Sequence, residues 1–297
     1  MENKTLFKPG HTACAGCGQA IAARMVIDAA GPNTIIANNT GCLEVFSTKY
    51  PETAWGVPWI HSLFENCAAV ASGIEAALIY LGKKDQINVI AQAGDGGTAD
   101  IGLQALSGML ERGHDILYVC YDNEAYMNTG IQRSGLTPFD TNTSTSPIGA
   151  RSTGNIRPKK PMPEIALAHG IPYVAVASAG YPQDIQRKVK KAISIKGPKY
   201  MQIHVPCPLG WRHESNQMLD VAKAAVETGL YPLVEFENGV LISKRQITPK
   251  PVEEYLKIQG RFKHLLNNPE EIKKIQAIAD NNIKKYGLKA EPQAPSS

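Results

Sequence analysis

The chain has 297 residues, of which 43% are hydrophobic and 20% are charged, and its formal net charge is +4. A chain of this length can bury a substantial core as one or two domains. The mild charge gives no indication of nucleic-acid binding, and the longest apolar stretch, residues 67–81, is too short to cross a bilayer, so we expect a cytoplasmic protein that binds neither nucleic acids nor membranes.

Helix-like and strand-like segments alternate through the first two thirds of the chain. Apolar residues at helical spacing predict helices, and short apolar runs predict strands. The predicted helices are residues 19–29, 66–81, 99–110, 164–168 and 183–195, and the predicted strands are residues 34–37, 87–91, 116–121, 173–177 and 200–205. This alternation predicts an α/β fold with a doubly wound, mostly parallel sheet. A basic cluster at residues 187–191 is interpreted as a solvated helix face.

Two long connections interrupt this alternation. Residues 43–65 are rich in Pro, Trp and Tyr, and residues 131–161 are rich in Thr, Ser, Gly and Pro. A connection as long as the second is usually functional or disordered, and we predict a loop over a cofactor or at a subunit contact. Residues 55–59, which contain two tryptophans, are interpreted as either interface or core.

The alternation of predicted helices and strands ends near residue 231. Residues 233–242 predict a hairpin with a turn at Asn238-Gly239. Charged helices are predicted around residues 251–265 and 269–286, followed by a disordered tail rich in Ala, Pro and Ser. We therefore divide the chain into a domain over residues 1–230, which carries all the motifs below, and an extension over residues 231–297 that packs on partner subunits.

A glycine-rich motif follows the strand predicted at residues 87–91. Gly94-Asp95-Gly96-Gly97 lies at its carboxyl end, and Asn123 follows the next predicted strand. Because ligands bind at the carboxyl ends of parallel strands, an oxygen from each strand can meet over one Mg²⁺ ion. Glycines allow backbone N–H groups to approach phosphate oxygens closely. Taken alone, however, Gly-Asp-Gly is equally well explained as an ordinary turn.

Four cysteines lie in turn-like contexts: Cys14, Cys17, Cys42 and Cys207. Four thiolates fit either a structural zinc ion or a four-iron, four-sulfur cluster, and their spacing leaves both open. Two disulfides are the weaker explanation, because the N-terminal residues carry no secretory signal pattern. The remaining two cysteines, Cys67 and Cys120, lie in apolar patterns and are predicted to be buried core residues without a ligand.

The motifs together resemble those of one family of thiamine diphosphate enzymes. Gly-Asp-Gly, one helix–strand unit and the run Asn-Glu-Ala-Tyr-Met-Asn-Thr-Gly at residues 123–130, with the four cysteines in order, are similar to the beta subunit of 2-oxoacid:ferredoxin oxidoreductases, specifically the pyruvate enzymes. The resemblance spans roughly residues 10–209. It implies a thiamine diphosphate-binding fold of the diphosphate type, with a C-terminal extension.

The resemblance also implies roles for individual residues. Asp95, Asn123 and the carbonyl of Ala125 would bind Mg²⁺, and the four cysteines would hold one 4Fe–4S cluster. Asn128 would face the thiazolium ring and the substrate as the catalytic residue. The remaining expected cofactor contacts are Gly94, Gly96 and Gly97 on the diphosphate, the weaker candidate Thr129, and Phe64 on the aminopyrimidine. A core role for Phe64 is an equally good explanation.

The reaction implied is the reversible oxidative decarboxylation of pyruvate with coenzyme A to acetyl-coenzyme A and CO₂, with electrons passing to ferredoxin. The further domains of single-chain members do not fit in 297 residues. We therefore expect one subunit of a complex with alpha, gamma and delta-type partners, one of which supplies the glutamate that activates thiamine. Glu65 is the nearby alternative. Rival hypotheses are the same chemistry on 2-oxoisovalerate, oxalate or another 2-oxoacid, and a non-catalytic, zinc-stabilised nucleotide-binding scaffold.

Overall fold

The computed structural model describes residues 5–290 and contains ten strands and eleven α-helices in that range. The strands are β1 (Thr34–Asn38), β2 (Trp59–His61), β3 (Asn88–Gly94), β4 (Leu117–Asp122), β5 (Ile148–Gly149), β6 (Ser152–Thr153), β7 (Tyr173–Ser178), β8 (Lys199–His204), β9 (Val234–Glu237) and β10 (Val240–Lys244). The helices are α1 (Gly18–Ala30), α2 (Cys42–Ser47), α3 (Cys67–Tyr80), α4 (Asp95–Ala99), α5 (Leu103–Glu111), α6 (Met162–Leu167), α7 (Pro182–Ser194), α8 (Pro208–Trp211), α9 (Met218–Glu227), α10 (Glu253–Leu256) and α11 (Pro269–Tyr286). Short 3₁₀ helices occupy Lys84–Gln86, Ser215–Gln217 and Gly260–Leu265.

Eight of the strands form one sheet in the order β10-β9-β7-β8-β4-β3-β1-β2. The six strands from β7 to β2 are parallel, whereas β9 runs antiparallel to β7 and β10 antiparallel to β9. One core, which includes Ile27 and Val189, lies on the α1 and α7 face of the sheet, and a second, which includes Leu106 and Met162, lies on the α3, α5 and α6 face. Central strands buried on both faces are typical of this architecture. The predicted doubly wound, mostly parallel sheet is confirmed.

Three local predictions differ from the structure. The connection at residues 43–65 contains β2, whose three residues are too short and too exposed to give a periodic signal. The helix predicted at residues 99–110 is two helices, because Gly102 packs its backbone against the Gly97 carbonyl where no side chain fits. The helix predicted at residues 251–265 is divided into α10 and a 3₁₀ helix, because Gln259 is extended and Gly260 packs against Arg212.

The interpretation of residues 187–191 as a solvated helix face is wrong for Lys188. Its side chain is buried, and its ammonium donates to the Val176 carbonyl at 2.7 Å and to Asp184 at 2.6 Å. The long aliphatic stem lets the charge reach the sheet while the stem packs in the core. Arg187 and Lys191 both form ion pairs with the buried Glu235, so α7 also stabilises the position of β9 beside the parallel strands.

The two long connections are ordered around buried side chains. Trp55 is buried and donates from Nε1 to the Ser47 hydroxyl at 2.9 Å, which supports a core role for that tryptophan. Residues 131–161 include the β5–β6 hairpin and fully buried Ser134 and Asp140.

The predicted hairpin is confirmed as β9 and β10, and it extends the edge of the main sheet. The division of the chain at residue 230 remains a prediction, and the predicted disordered tail falls mostly on residues 291–297, outside the described range. Among residues 5–290, no helix is long and apolar enough to cross a membrane.

Candidate cofactor site and cysteine group

The carboxyl ends of β1, β3 and β4 border one cleft. The motif residues reach it because Asp95 directly follows β3 and Asn123 directly follows β4, its parallel neighbour. The cleft brings together every residue predicted to contact the cofactor: Phe64, Gly94, Asp95, Gly96, Gly97, Asn123, Ala125, Asn128 and Thr129. Cys42 lines the same cleft.

Three oxygen-bearing groups converge at the base of this cleft. The side-chain amide of Asn123 lies 2.9 Å from Asp95 Oδ1 and 2.8 Å from the Ala125 carbonyl oxygen. Either the amide nitrogen donates to both oxygens, or the amide oxygen faces them across a cation. Both Asp95 and Asn123 are buried, and the second Asp95 oxygen accepts from the Ser134 hydroxyl. A carboxylate, an amide and a carbonyl oxygen form a donor set that fits a hard cation such as Mg²⁺.

The electrostatics of Asp95 favour a cation at this position. Burial, and next the Asp122 carboxylate, raise the pKa of Asp95 well above its ordinary value. Protonation relieves the cost of burying this carboxylate in the absence of a cation. A divalent ion at the three oxygens would supply the missing positive charge and favour the ionised form.

The glycines of the motif have different surroundings. A Cβ on Gly96 would overlap the Tyr126 ring, and a Cβ on Gly97 would overlap the Asn39 amide. A Cβ on Gly94 would meet nothing within 4 Å. Gly96 and Gly97 are therefore required by packing, whereas Gly94 keeps an open space in the cleft wall.

The rim of the cleft is open to solvent. Asn128 and Thr129 are exposed, and the Thr129 hydroxyl donates to Gln132 at 2.6 Å. Phe64 is half-buried, and its ring centroid lies 5.7 Å from that of Tyr126. The structure therefore places these three predicted contacts at the mouth of the cleft, above the buried oxygens.

The four turn cysteines come together from distant parts of the chain. Cys14 and Cys17 lie in the loop before α1, Cys42 is the first residue of α2, and Cys207 directly precedes α8. Burial, and then Cys207, Cys17 and Cys14 in turn, raise the pKa of Cys42 to about 12, so the four sulfur atoms form one electrostatically interacting group. Within residues 5–290, no three His, Cys, Asp or Glu side chains are arranged to hold a single metal ion.

Backbone N–H groups point at two of these sulfur atoms. The Cys207 sulfur accepts a hydrogen bond from the Gly210 amide at 3.4 Å. Burial raises the pKa of Cys17 to about 11, and hydrogen bonds from the backbone of Ala20 and Gln19 oppose that increase. Such donors favour the thiolate form that binds metals. Cys67 and Cys120 are buried, as predicted, and are not part of this group.

Sequence reasoning missed a buried charged network behind the cleft. Asp122 and Glu124 flank Asn123, and the Lys159 ammonium donates to Asp122 at 2.9 Å and to Glu124 at 2.7 Å. Arg261 donates to the other Glu124 oxygen at 2.5 Å. The acidic residues beside Asn123 were a visible signal, but their partners lie 35 and 137 positions from Glu124 and have no local pattern.

A second missed group follows β1. Asn39 and Thr40 line the cleft beside Cys42, and Asn39 Nδ2 donates to the Phe64 carbonyl at 3.2 Å. The polar run at residues 38–41, directly after a buried strand, was a signal of the same kind as the motif after β3.

Comparisons with known proteins identify the family of this chain. The family described as "Thiamine pyrophosphate enzyme, C-terminal TPP binding domain" matches residues 39–203. The "Pyruvate synthase subunit PorB" of Methanosarcina barkeri is 59% identical over 289 residues, which cover 96% of this chain and 98% of the relative. The chain belongs to the PorB family of thiamine diphosphate enzymes. The resemblance stated from the motifs and the expected thiamine diphosphate-binding domain are confirmed.

Two further proteins are similar to this chain. The "Ketoisovalerate oxidoreductase subunit VorB" of Pyrococcus abyssi is 49% identical over 273 residues, or 90% of this chain and 88% of that relative. A solved structure of 2-oxoglutarate:ferredoxin oxidoreductase from Magnetococcus marinus matches with a TM-score of 0.58 at 24% identity. It covers 75% of this chain and 81% of that one, and it shows that the fold is shared.

Proposed function

We propose that this chain is the beta subunit of a pyruvate:ferredoxin oxidoreductase, which converts pyruvate, coenzyme A and oxidised ferredoxin reversibly to acetyl-coenzyme A, CO₂ and reduced ferredoxin. The observation that carries the proposal is one cleft in which a three-oxygen group and a member of the four-cysteine group both lie. An electron-yielding cofactor and an electron acceptor would thus be neighbours. Similarity to pyruvate synthase subunits over nearly the full chain supports the substrate.

The cofactor would be held by its diphosphate through Mg²⁺. Asp95, Asn123 and the Ala125 carbonyl would bind the ion, and Gly94, Gly96 and Gly97 would let the backbone approach the phosphate oxygens. Thiamine diphosphate, when bound, supplies the carbanion that attacks the keto carbon of the substrate. Asn128, on the exposed rim, would donate its amide N–H to the substrate oxygen that gains charge.

The four cysteines would hold one 4Fe–4S cluster as the first electron acceptor. Burial first, and other cysteines of the group in addition, raise the pKa values of Cys17, Cys42 and Cys207, which supports one shared site for the four sulfur atoms. The resemblance of the motifs to those of 2-oxoacid:ferredoxin oxidoreductases favours the cluster over a structural zinc ion. Hydrogen bonds to the sulfur atoms, such as that from Gly210 to Cys207, are a recognised means of tuning cluster potential.

Partner chains would complete the site. The cleft is open at Asn128 and Thr129, and its described lining includes Phe64 but not the neighbouring Glu65. We therefore assign the glutamate that activates thiamine to a partner subunit. Alpha, gamma and delta-type subunits, with ferredoxin as the electron acceptor, are the partners proposed. The loop at residues 131–161 reaches the cofactor region through the Ser134 hydroxyl, which donates to Asp95.

A second candidate substrate is 2-oxoisovalerate, because a ketoisovalerate oxidoreductase subunit is 49% identical to this chain. The purified complex should be assayed with pyruvate, 2-oxoisovalerate and 2-oxoglutarate, coenzyme A and a low-potential acceptor dye. The highest kcat/KM with pyruvate supports the proposal, and a preference for 2-oxoisovalerate favours the alternative. A colourless protein that contains zinc and turns over no 2-oxoacid would refute both.

The metal role is tested by Asp95→Ala. This change removes one of three proposed Mg²⁺ ligands and no thiol, so the complex should lose thiamine diphosphate while retaining its iron content and brown colour. Asp85→Ala is the control, because Asp85 is exposed and pairs with Lys196 on the surface. Near-native thiamine diphosphate affinity of the Asp95→Ala complex, measured by calorimetry, would contradict the assignment.

A further inference from the structure

The loop that carries the proposed metal ligands contains an uncommon backbone conformation. Glu124 lies between Asn123 and Ala125 and has a φ of 68°. This left-handed region is seldom adopted by residues with long side chains. The turn at Glu124 accompanies the close approach of the Asn123 amide to the Ala125 carbonyl, at 2.8 Å. The convergence of two of the three oxygen groups therefore depends on the backbone of Glu124.

Three long-range contacts hold Glu124, which is buried. Its carbonyl accepts from the Thr137 hydroxyl at 2.7 Å, and its Oε1 accepts from Lys159 at 2.7 Å. Its Oε2 accepts from Arg261 Nη2 at 2.5 Å. Each contact comes from a segment outside the loop, so the conformation is imposed by tertiary structure rather than by local preference.

Arg261 supports the loop at a second point through Trp211. The Arg261 guanidinium carbon lies 3.8 Å from the centre of the Trp211 ring, and the Trp211 indole N–H donates to the Asn123 carbonyl at 2.8 Å. Trp211 follows Cys207 by four positions and ends α8, the helix that Cys207 precedes. One fully buried arginine from the C-terminal part of the chain thus contacts both the residue beside the metal ligands and the segment beside a cluster cysteine.

We propose that Arg261 is a positioning residue for the cofactor. By binding the Glu124 carboxylate and stacking on Trp211, it keeps Glu124 in the left-handed conformation and so keeps the oxygens of Asn123 and Ala125 directed towards the Asp95 carboxylate. The inference rests on the proposed function, because it takes these three residues as ligands of the Mg²⁺ that binds thiamine diphosphate. The effect of Arg261 should therefore be on cofactor affinity and not only on folding.

A second ion pair in the same chain provides a matched control. Glu235 is buried like Glu124; it forms an ion pair with Arg187 at 3.0 Å and accepts a hydrogen bond from Lys191 at 3.2 Å. Removing Arg187 leaves a buried glutamate with one lysine, as removing Arg261 does at Glu124. Arg187 lies on α7, and its pair joins that helix to β9 rather than to the cofactor loop.

The test measures thiamine diphosphate binding by calorimetry at several Mg²⁺ concentrations, on the assembled complex after removal of cofactor and metal. Arg261→Gln should weaken binding about ten- to hundredfold, as changes to residues that orient metal ligands do. Arg261→Lys should recover part of the loss. The double variant Glu124→Gly/Arg261→Gln should bind more tightly than Arg261→Gln, because glycine adopts a positive φ without steric cost. Arg187→Gln should bind within about twofold of wild type.

Iron content and the thermal unfolding midpoint of each variant separate cofactor binding from folding. Should Arg261→Gln fail to assemble, Arg261→Lys carries the same comparison with Arg187→Lys. Wild-type affinity in the Arg261 variants, or an equal loss in the Arg187 variants, overturns the inference alone. Failure of the wild-type complex to bind thiamine diphosphate overturns the proposed function and this inference with it.

Discussion

Replacing Gly94 by alanine should separate cofactor binding from folding stability. Gly94 has a φ of −72° and a ψ of 175°, an extended conformation that alanine adopts without strain. Its added Cβ would meet no protein atom within 4 Å. Because Gly94 lines the cleft proposed for the diphosphate, the methyl group should enter space that the cofactor needs.

The expected magnitudes have opposite signs for the two properties. Alanine at a compatible position restricts the unfolded chain, so the free energy of unfolding of the cofactor-free protein should rise by about 0.4–1 kcal/mol. Displacing the diphosphate from one backbone donor should cost about 1.5–3 kcal/mol of binding, as for hydrogen bonds to charged groups. That corresponds to a loss of affinity of about ten- to hundredfold.

Two comparison variants, Gly96→Ala and Gly73→Ala, distinguish a loss of cofactor space from a loss of stability. A Cβ on Gly96 would overlap the Tyr126 ring, so that variant should lose about 1–3 kcal/mol of stability as well as the cofactor. Gly73 lies within α3 and its Cβ would be unobstructed, so Gly73→Ala should leave cofactor affinity unchanged.

Cofactor affinity is measured by calorimetry on the assembled complex, and stability by thermal unfolding of the cofactor-free form. The reasoning is refuted if Gly94→Ala binds thiamine diphosphate within about threefold of wild type, since one lost charged hydrogen bond costs more than that. It is equally refuted if the variant loses stability as Gly96→Ala does, because the methyl group would then have met protein atoms.

Three further predictions follow from the cysteine group, the buried ion network and the open rim. Cys207→Ser should deplete iron, because a hydroxyl replaces a soft thiolate poorly, whereas the buried Cys120→Ser should keep full iron content in the same colorimetric assay. Burial raises the pKa of Glu124, but Lys159 and then Arg261 outweigh it and lower that pKa to about 2. The ion pairs of Glu124 therefore contribute stability that is present above pH 4.5 and is lost as the pH falls towards 2. Acid unfolding followed by circular dichroism should therefore show a shallower loss in this window for Glu124→Gln, and an unchanged slope would contradict the assignment. Finally, the isolated chain should bind iron yet decarboxylate no 2-oxoacid until the partner subunits are added, and turnover by the single chain would place the activating glutamate within it.

The sequence by itself was sufficient to predict features that depend on a local residue pattern. Asp95 and Asn123 each follow a short apolar strand, and parallel neighbours bring such ends to one edge, so their proximity could be predicted before any coordinates. The hairpin at residues 233–242 followed from its Asn-Gly turn in the same way. The burial of Cys67 and Cys120 followed from the apolar pattern around them.

Tertiary structure alone decided the features that depend on distant contacts. The strand β2 is held by pairing with β1 rather than by its own three residues. The basic residue Lys188 is buried because the Val176 carbonyl and the Asp184 carboxylate accept hydrogen bonds from its ammonium group. Glu124 and Arg261 meet across 137 positions. Periodicity and turn chemistry describe the energetics of neighbouring residues, whereas the desolvation of a charge is offset by whichever partner the fold brings to it. The identity of that partner is a property of the packed chain, and no local segment encodes it.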